Sequence, residues 1–508
     1  MLRPALSRIS VTTYDVIVVG GGINGVGIAR ELALRGHSVL LVEEGDIGGG
    51  TSSASSKLVH GGLRYLEQGN LKLVWEACRE RYYLLKNAPH LVKKLAFLLP
   101  VYKTSSRPVW MVRVGVWLYD RLSGRHRLGD SGWLSVEETI KREAGILRDG
   151  LLGAAIYQDA QMDDARVCLE TALQAQEFGA IILNYTSVIT VNADKRRVNS
   201  VQIRDVFSGE EATLKATYFV NATGPWSDDV LDLLTPNAEK LLRPSKGVHI
   251  VTRKLTKDHA VLVMSRSDGR VFFVLPWGEQ SMIGTTDTDY KGPIDSVSVE
   301  QEDIDYLIRE TALQFPDSQL TSEDVVSSFV GIRPLLRKKS GLIGSVSREH
   351  KFSWNRRNFL SVIGGKYTTY RAVSESAAAK IHVKLSHRVF RSLTREMPLF
   401  GGDQIEANYE EDAVMYPVSK EIYDDVISRY GSAYRDVLLT LMERSDNCEC
   451  LTGTTYLKGE VVYAIRYEFA MQPDDFMRRR TQLFFTKGQG ASCVHEVSEI
   501  FARELQRK

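Results

Sequence analysis

The chain has 508 residues, more than one hydrophobic core usually serves, so two or three domains are expected. It is 43% hydrophobic and 25% charged, an ordinary globular balance that excludes a disordered, fibrous or polytopic membrane protein. With 65 Lys plus Arg against 63 Asp plus Glu, the net charge of +2 argues against a nucleic-acid partner. Five scattered cysteines without a CxxC pair or a His at zinc-finger spacing point to reduced thiols and no structural metal. No apolar stretch is long enough to span a membrane, and no signal peptide is read at the N-terminus, so neither export nor a transmembrane anchor is expected.

In chain order, YDVIVVG at 14–20 reads as a buried parallel strand, followed by a Gly-rich turn and a helix through Ile28 and Leu32. HSVLLVEE at 37–44 is the second strand and completes a βαβ unit. Leu71, Val74, Trp75, Cys78, Tyr82 and Leu85 predict one amphipathic helix over 67–86. Residues 97–119 mix aromatic and basic side chains, 164–250 alternate helix and strand signals, and 245–330 hold short β-runs such as VHIVT and RVFFVLPW. Beyond 385 the strand signals stop, and helical stripes follow through Tyr423 and Val426, Val437 and Leu441, and Val497 and Phe501.

Gly20, Gly22 and Gly25 form GxGxxG between a strand and a helix, where a pyrophosphate can approach the backbone and the helix N-terminus. Glu43 ends the second strand, where a carboxylate accepts hydrogen bonds from a free adenosine ribose; this favours FAD or NAD over NADP. Later segments decide between the two. TSSASSKLVHGGLRYLE, NATGPWS, GVHIV, IGTTDTDYKG, GIRPL and GGKYTTYR, in this order after GGGINGVGIA, resemble the FAD-dependent, quinone-linked glycerol-3-phosphate dehydrogenases within the amine-oxidase-like flavoproteins. The similarity spans residues 14 to about 385, and the helical tail matches more loosely.

The resemblance implies an α/β architecture: a Rossmann-like FAD-binding domain of the amine-oxidase-like two-domain type, an inserted mixed-sheet substrate domain and an all-helical C-terminal domain. The expected division is 14–95, 150–245 and 328–385 for the FAD domain, 96–149 and 246–327 for the substrate or cap domain, and 386–508 for the helical domain. It implies non-covalent FAD held by Gly20, Gly22, Asn24, Gly25, Glu43, Ser52, Ser53, Lys57, Leu58, His60, Gly61, Ala222, Gly224, Gly364, Gly365, Lys366, Thr368 and Thr369. It further implies sn-glycerol 3-phosphate as the substrate, bound by Arg64, Tyr65, His249, Arg333, Arg348 and Lys366. Arginine suits the phosphate because it binds in bidentate fashion.

Catalytic roles fall to His249, Arg333 and Lys366: His249 accepts the hydroxyl proton, Arg333 steadies the alkoxide, and Lys366 stabilises charge beside the flavin. The resemblance implies that hydride leaves C2 for FAD and that electrons pass to membrane quinone. That acceptor implies a peripheral seat on the inner membrane, with a homodimer compatible with this reading. Two regions join apolar anchors to basic charge: Phe97, Trp110 and Trp117 near Arg107 and Arg113, and FMRRRTQLFF at 476–485. Competing readings are an oxygen-using glycerophosphate oxidase and a turnover-deficient flavin-binding regulator. No DxDxDG loop appears, so calcium control is not expected.

Overall fold

The computed structural model describes residues 4–66, 69–337 and 350–506, with the Arg64 side chain excepted. Strand Thr13–Val19 lies at the centre of one sheet because its residues are buried on both faces. It pairs in parallel with Val39–Val42 on one side and Glu211–Asn221 on the other; Ile181–Leu183 and Phe359–Gly364 extend the parallel set. Helix Ile23–Leu34 packs between helices Asp164–Glu177 and Tyr370–Ser386 over this sheet. The sheet's apolar runs are therefore covered by helices, as parallel sheets require.

The second sheet is mixed. Leu242–Arg253 pairs antiparallel with Val325–Leu336 along nearly its whole length, and with Gln280–Gly284 on the other edge. Val271–Trp277, His259–Met264, Val92–Tyr102 and Leu151–Met162 continue it. Sheet membership thus runs past the expected segment limits at both ends: Val92–Tyr102 starts before 96, and Leu151–Met162 lies within the 150–245 segment read as part of the FAD domain. Neither strand announces itself locally. Val92–Tyr102 carries Lys93, Lys94 and Pro100, and Leu151–Met162 mixes Gly153, Ala154, Ala155 and Ala160 with Gln158, Asp159 and Gln161, without a clean two-residue alternation; each finds its place by pairing with the other.

The amphipathic helix runs Leu71–Asn87, capped by the Asn70 side chain, which accepts from the Leu73 amide. It packs against helix Val109–Ser123. The C-terminal region contains helices Tyr409–Met415, Lys420–Tyr430, Tyr434–Leu441, Lys458–Tyr467 and Val494–Gln506, plus one isolated bridge between Cys450 and Leu457. Among the described residues, no helix is long and apolar enough to cross a membrane.

Candidate active site

The turn after the first strand is shaped by close backbone approach. Gly20 has φ +108°, and a β-carbon there would meet the Ala222 carbonyl oxygen at 2.6 Å; one on Gly25 would lie 1.9 Å from the Gly20 carbonyl oxygen. Only glycine fits either position. Gly25 therefore packs the turn instead of lining the groove in front of it. That groove is a cavity of about 750 Å³ running past Gly20, Gly22, Asn24 and Glu43 to Ala222, Gly224, Gly364, Gly365 and Lys366. Its length and its glycine-walled cradle suit an extended dinucleotide.

Glu43 accepts from the amides of Gly21 and Gly45, so its carboxylate closes the loop around the turn. Burial pushes its carboxyl upward, against the two amides. Ser52 Oγ accepts from the Ile23 amide at 2.9 Å and supplies the cap that Gly22 lacks. Asn24 Nδ2 donates to the Gly364 carbonyl at 3.4 Å, joining the first turn to the late Gly-Gly segment. Leu58, His60 and Thr368 also line the groove, and Thr368 Oγ1 accepts from the His60 amide.

Besides Gly25, four expected cofactor contacts lie off the groove wall, each for a visible reason. Lys57, in the left-handed region at φ +53°, turns inward to a fully buried ion pair with Asp164. Ser53 hydrogen-bonds the Gly50 carbonyl. Thr369 is buried and turns back to the Lys366 carbonyl. The Gly61 amide donates to Tyr119 Oη at 2.8 Å and to Asp159 Oδ1 at 3.2 Å, while Arg81 forms a buried pair with Asp159. Thr223, Trp226, Tyr185 and Arg479 line the groove without having been singled out for it. Thr223 and Trp226 stand inside the NATGPWS motif, which was signal enough; Tyr185 and Arg479 carry no local signal.

The reacting end is built on one face of a strand pair. His249 stands opposite Phe329, Gly247 opposite Gly331, and Ser245 opposite Arg333. The two-residue period brings His249, Gly247, Gly331 and Arg333 together along the groove. The His249 ring stacks on Phe329 with centroids 4.8 Å apart and an interplanar angle of 6°. It also fills the space over Gly284, where a β-carbon would lie 2.0 Å from Cδ2. Its Nε2 is 2.8 Å from Ser56 Oγ, and buried Nδ1 has no hydrogen-bond partner among the described residues. Burial first, then Arg333 and Lys57, drives this imidazole well below the ordinary histidine range.

Arg333 donates to the Thr286 carbonyl at 3.2 Å and to Thr285 Oγ1 at 2.8 Å, and pairs with Asp287 at 3.3 Å. Lys366 Nζ stands 3.4 Å from the centroid of the Tyr65 ring. Arg348 and the Arg64 side chain lie outside the described residues. A second cavity of about 630 Å³ shares Ser56, Leu58, His60, Tyr65 and Arg333 with the first. From there it extends between Phe97, Leu99, Val101, Leu262 and Phe273 to Val112 on helix Val109–Ser123.

Residues 15–371 match the family described as FAD dependent oxidoreductase, and residues 392–508 match the C-terminal domain of alpha-glycerophosphate oxidase. A glycerol-3-phosphate dehydrogenase from Synechocystis is 37% identical over 96% of this chain and 92% of its own. The chain belongs to the FAD-dependent glycerol-3-phosphate dehydrogenases. An aerobic glycerol-3-phosphate dehydrogenase of Staphylococcus saprophyticus is 34% identical over 96% of this chain and 90% of its own. The crystal structure of the Bacillus halodurans glycerol-3-phosphate dehydrogenase complexed with FAD superposes with TM-score 0.78 at 30% identity, covering 99% of this chain and 94% of that one. The α/β flavoprotein fold with a mixed-sheet substrate domain and a helical C-terminal domain is that of this family, and its cofactor is FAD.

The basic run at 476–485, read from the sequence as one of two lipid-facing regions, is largely interior, with Arg478 exposed. Phe476, Met477, Arg480 and Phe485 are buried, and Arg479 and Arg480 are paired with Asp46. Phe97, grouped with the other region, is also buried. Trp110 and Trp117 are 64% and 57% exposed.

Proposed function

We infer that this chain oxidises sn-glycerol 3-phosphate to dihydroxyacetone phosphate on FAD and passes the electrons to a membrane quinone. One observation carries the reading: two cavities meet at His60, Tyr65 and Arg333, one shaped for the dinucleotide and one reaching an amphipathic helix with an exposed apolar face. A three-carbon phosphate fills only the inner end of the second chamber. The remainder has an apolar wall of Phe97, Leu99, Val101, Leu262 and Phe273, which suits a larger acceptor, and a charged rim that includes Arg107, Arg243, Asp268 and Arg270.

Bound FAD supplies the hydride acceptor. Gly20, Gly22 and Glu43 would hold its adenosine side, and Gly364, Gly365 and Lys366 its flavin side. Arg333, with Arg64 and Arg348, binds the phosphate and steadies negative charge on the reacting oxygen. His249 is neutral at physiological pH, the form that can accept a proton, and its ring is held in place by Phe329 and Ser56. The depression that keeps it neutral also weakens it as a base. The dianionic substrate offsets Arg333 and Lys57 and restores part of its basicity. Lys366 holds Tyr65 against the site and adds a positive charge near the flavin end of the groove.

The membrane seat proposed is the outer face of helix Val109–Ser123. Trp110, Met111, Val114 and Trp117 are exposed there beside Arg113 and Arg121, next to exposed Leu71 and Trp75 on the packed helix Leu71–Asn87. Apolar anchors beside basic charge fit an anionic interface.

Anaerobic addition of glycerol 3-phosphate to the yellow protein should bleach the oxidised-flavin absorbance, and a soluble quinone analogue should restore it much faster than air-saturated buffer. Faster recovery with oxygen would favour an oxidase instead. Absence of bleaching would leave a flavoprotein without this turnover.

A further inference from the structure

Three consecutive arginines, Arg478, Arg479 and Arg480, look alike in the sequence and have different surroundings in the fold. Arg478 is exposed, paired with Asp474 at 2.7 Å and stacked over Phe484. Arg480 is fully buried: both its Nη atoms bond Asp46, and Nη2 also donates to the Glu468 carbonyl. Arg479 bonds Asp46 through Nε and Asp475 Oδ1 through Nη2 at 2.7 Å, and its side chain reaches the wall of the cofactor groove.

Asp46 sits in the loop that follows the second strand, three residues after Glu43. Its carbonyl accepts from the Gly49 amide, while the Gly48 amide donates to the Gly21 carbonyl. A second route reaches the same loop. Tyr185, in the left-handed region at φ +51°, donates from its hydroxyl to Asp475 Oδ1 at 2.6 Å and from its amide to the Gly45 carbonyl at 3.0 Å. Asp46 and Tyr185 both line the groove beside Glu43 and Glu44, at its adenosine end. A third buried contact, Arg166 with Glu468 at 2.7 Å, ties the same C-terminal stretch to helix Asp164–Glu177.

We propose that Arg479 and Arg480 form a retention clamp for FAD: reaching from the C-terminal domain, they grip Asp46 and hold the loop at 43–50 along the adenosine end of the groove. Arg479 also faces the cofactor directly, whereas Arg480 acts through Asp46 as a positioning residue. The clamp rests on the FAD reading of the groove. It gives the C-terminal domain a task in cofactor binding that the groove's own glycines do not perform. Buried, charge-assisted pairs are suited to it, because losing one partner leaves a desolvated charge behind.

The test is the rate at which FAD fluorescence appears when holoenzyme is diluted into buffer, measured for wild type, Arg478→Gln, Arg479→Gln and Arg480→Gln. Arg479→Gln is the informative variant because both acids keep partners: Asp46 retains Arg480, and Asp475 retains Tyr185 and the Met471 and Gln472 amides. Its FAD release should be roughly tenfold to hundredfold faster, with unchanged far-ultraviolet circular dichroism. Arg480→Gln should release at least as fast, and Arg478→Gln at the wild-type rate. Wild-type release from Arg479→Gln, or equal loosening by Arg478→Gln, would overturn the clamp alone. Flavin-free wild-type protein would overturn the cofactor reading and the clamp together.

Discussion

The Arg333 guanidinium occupies the space that Gly247 leaves open on the neighbouring strand: a β-carbon at 247 would lie 2.4 Å from Nη2 and 2.7 Å from Cζ. The cation proposed to bind substrate is therefore positioned partly by the absence of a side chain two residues before His249. Gly247→Ala should displace Arg333 and raise KM for glycerol 3-phosphate roughly tenfold. Arg333→Ala should lower kcat/KM by about tenfold to hundredfold for each charge-assisted bond lost. Flavin content should stay at the wild-type level in both, and wild-type kcat and KM in Arg333→Ala would remove that residue from the site.

His249 links stability to pH with a definite sign. Its folded-state basicity is depressed, so below the ordinary histidine value near 6.5 the unfolded chain takes up a proton that the native state refuses. Its contribution is full above that value and is lost as pH falls. His37, His126 and His382 are shifted the same way, by burial first in each case. The midpoint of thermal unfolding should drop between pH 7.5 and 5.5, and drop less in His249→Gln. Equal slopes for wild type and variant would show that His249 titrates normally.

In catalysis, His249→Ala should slow anaerobic flavin reduction by about 10² to 10⁴ while leaving substrate affinity near wild type. The acid limb of the single-turnover pH profile should disappear with the imidazole. A variant that reduces its flavin at the wild-type rate and with the wild-type profile would confine His249 to packing against Phe329.

Tyr65 and Lys366 separate by a graded series. Tyr65→Phe keeps the ring beneath Lys366 Nζ and should hold KM within about threefold. Tyr65→Leu removes a cation–π contact of about 0.5 to 2 kcal/mol and should raise KM by roughly twofold to thirtyfold. The kinetic comparison fails if both variants behave alike.

Vesicle flotation tests the membrane face. Trp110→Ala with Trp117→Ala should reduce binding to anionic vesicles by about tenfold or more, with glycerol 3-phosphate oxidation by a soluble acceptor unchanged. Retained flotation would place the membrane contact elsewhere on the molecule.

Local chemistry was enough for much of this protein. The turn of Gly20, Gly22 and Gly25, the strand before it, the helix after it and Glu43 follow local patterns within one stretch and are legible there, although the crowding that requires glycine at 20 comes from Ala222, far along the chain. Arg333 and His249 were legible as motif residues, but their meeting on one face depends on the register between two strands separated by most of the inserted sheet. The strands Val92–Tyr102 and Leu151–Met162 were hidden because each becomes a strand by pairing with the other. Lys57 reads as a cofactor contact until the fold gives it buried Asp164, a more favourable partner than an open groove. The arginine run at 478–480 makes the same point from the other side. Its composition suits lipid, yet two of its three charges turn inward, because Asp46 and Asp475 are brought to them by tertiary packing that no periodicity in the segment records.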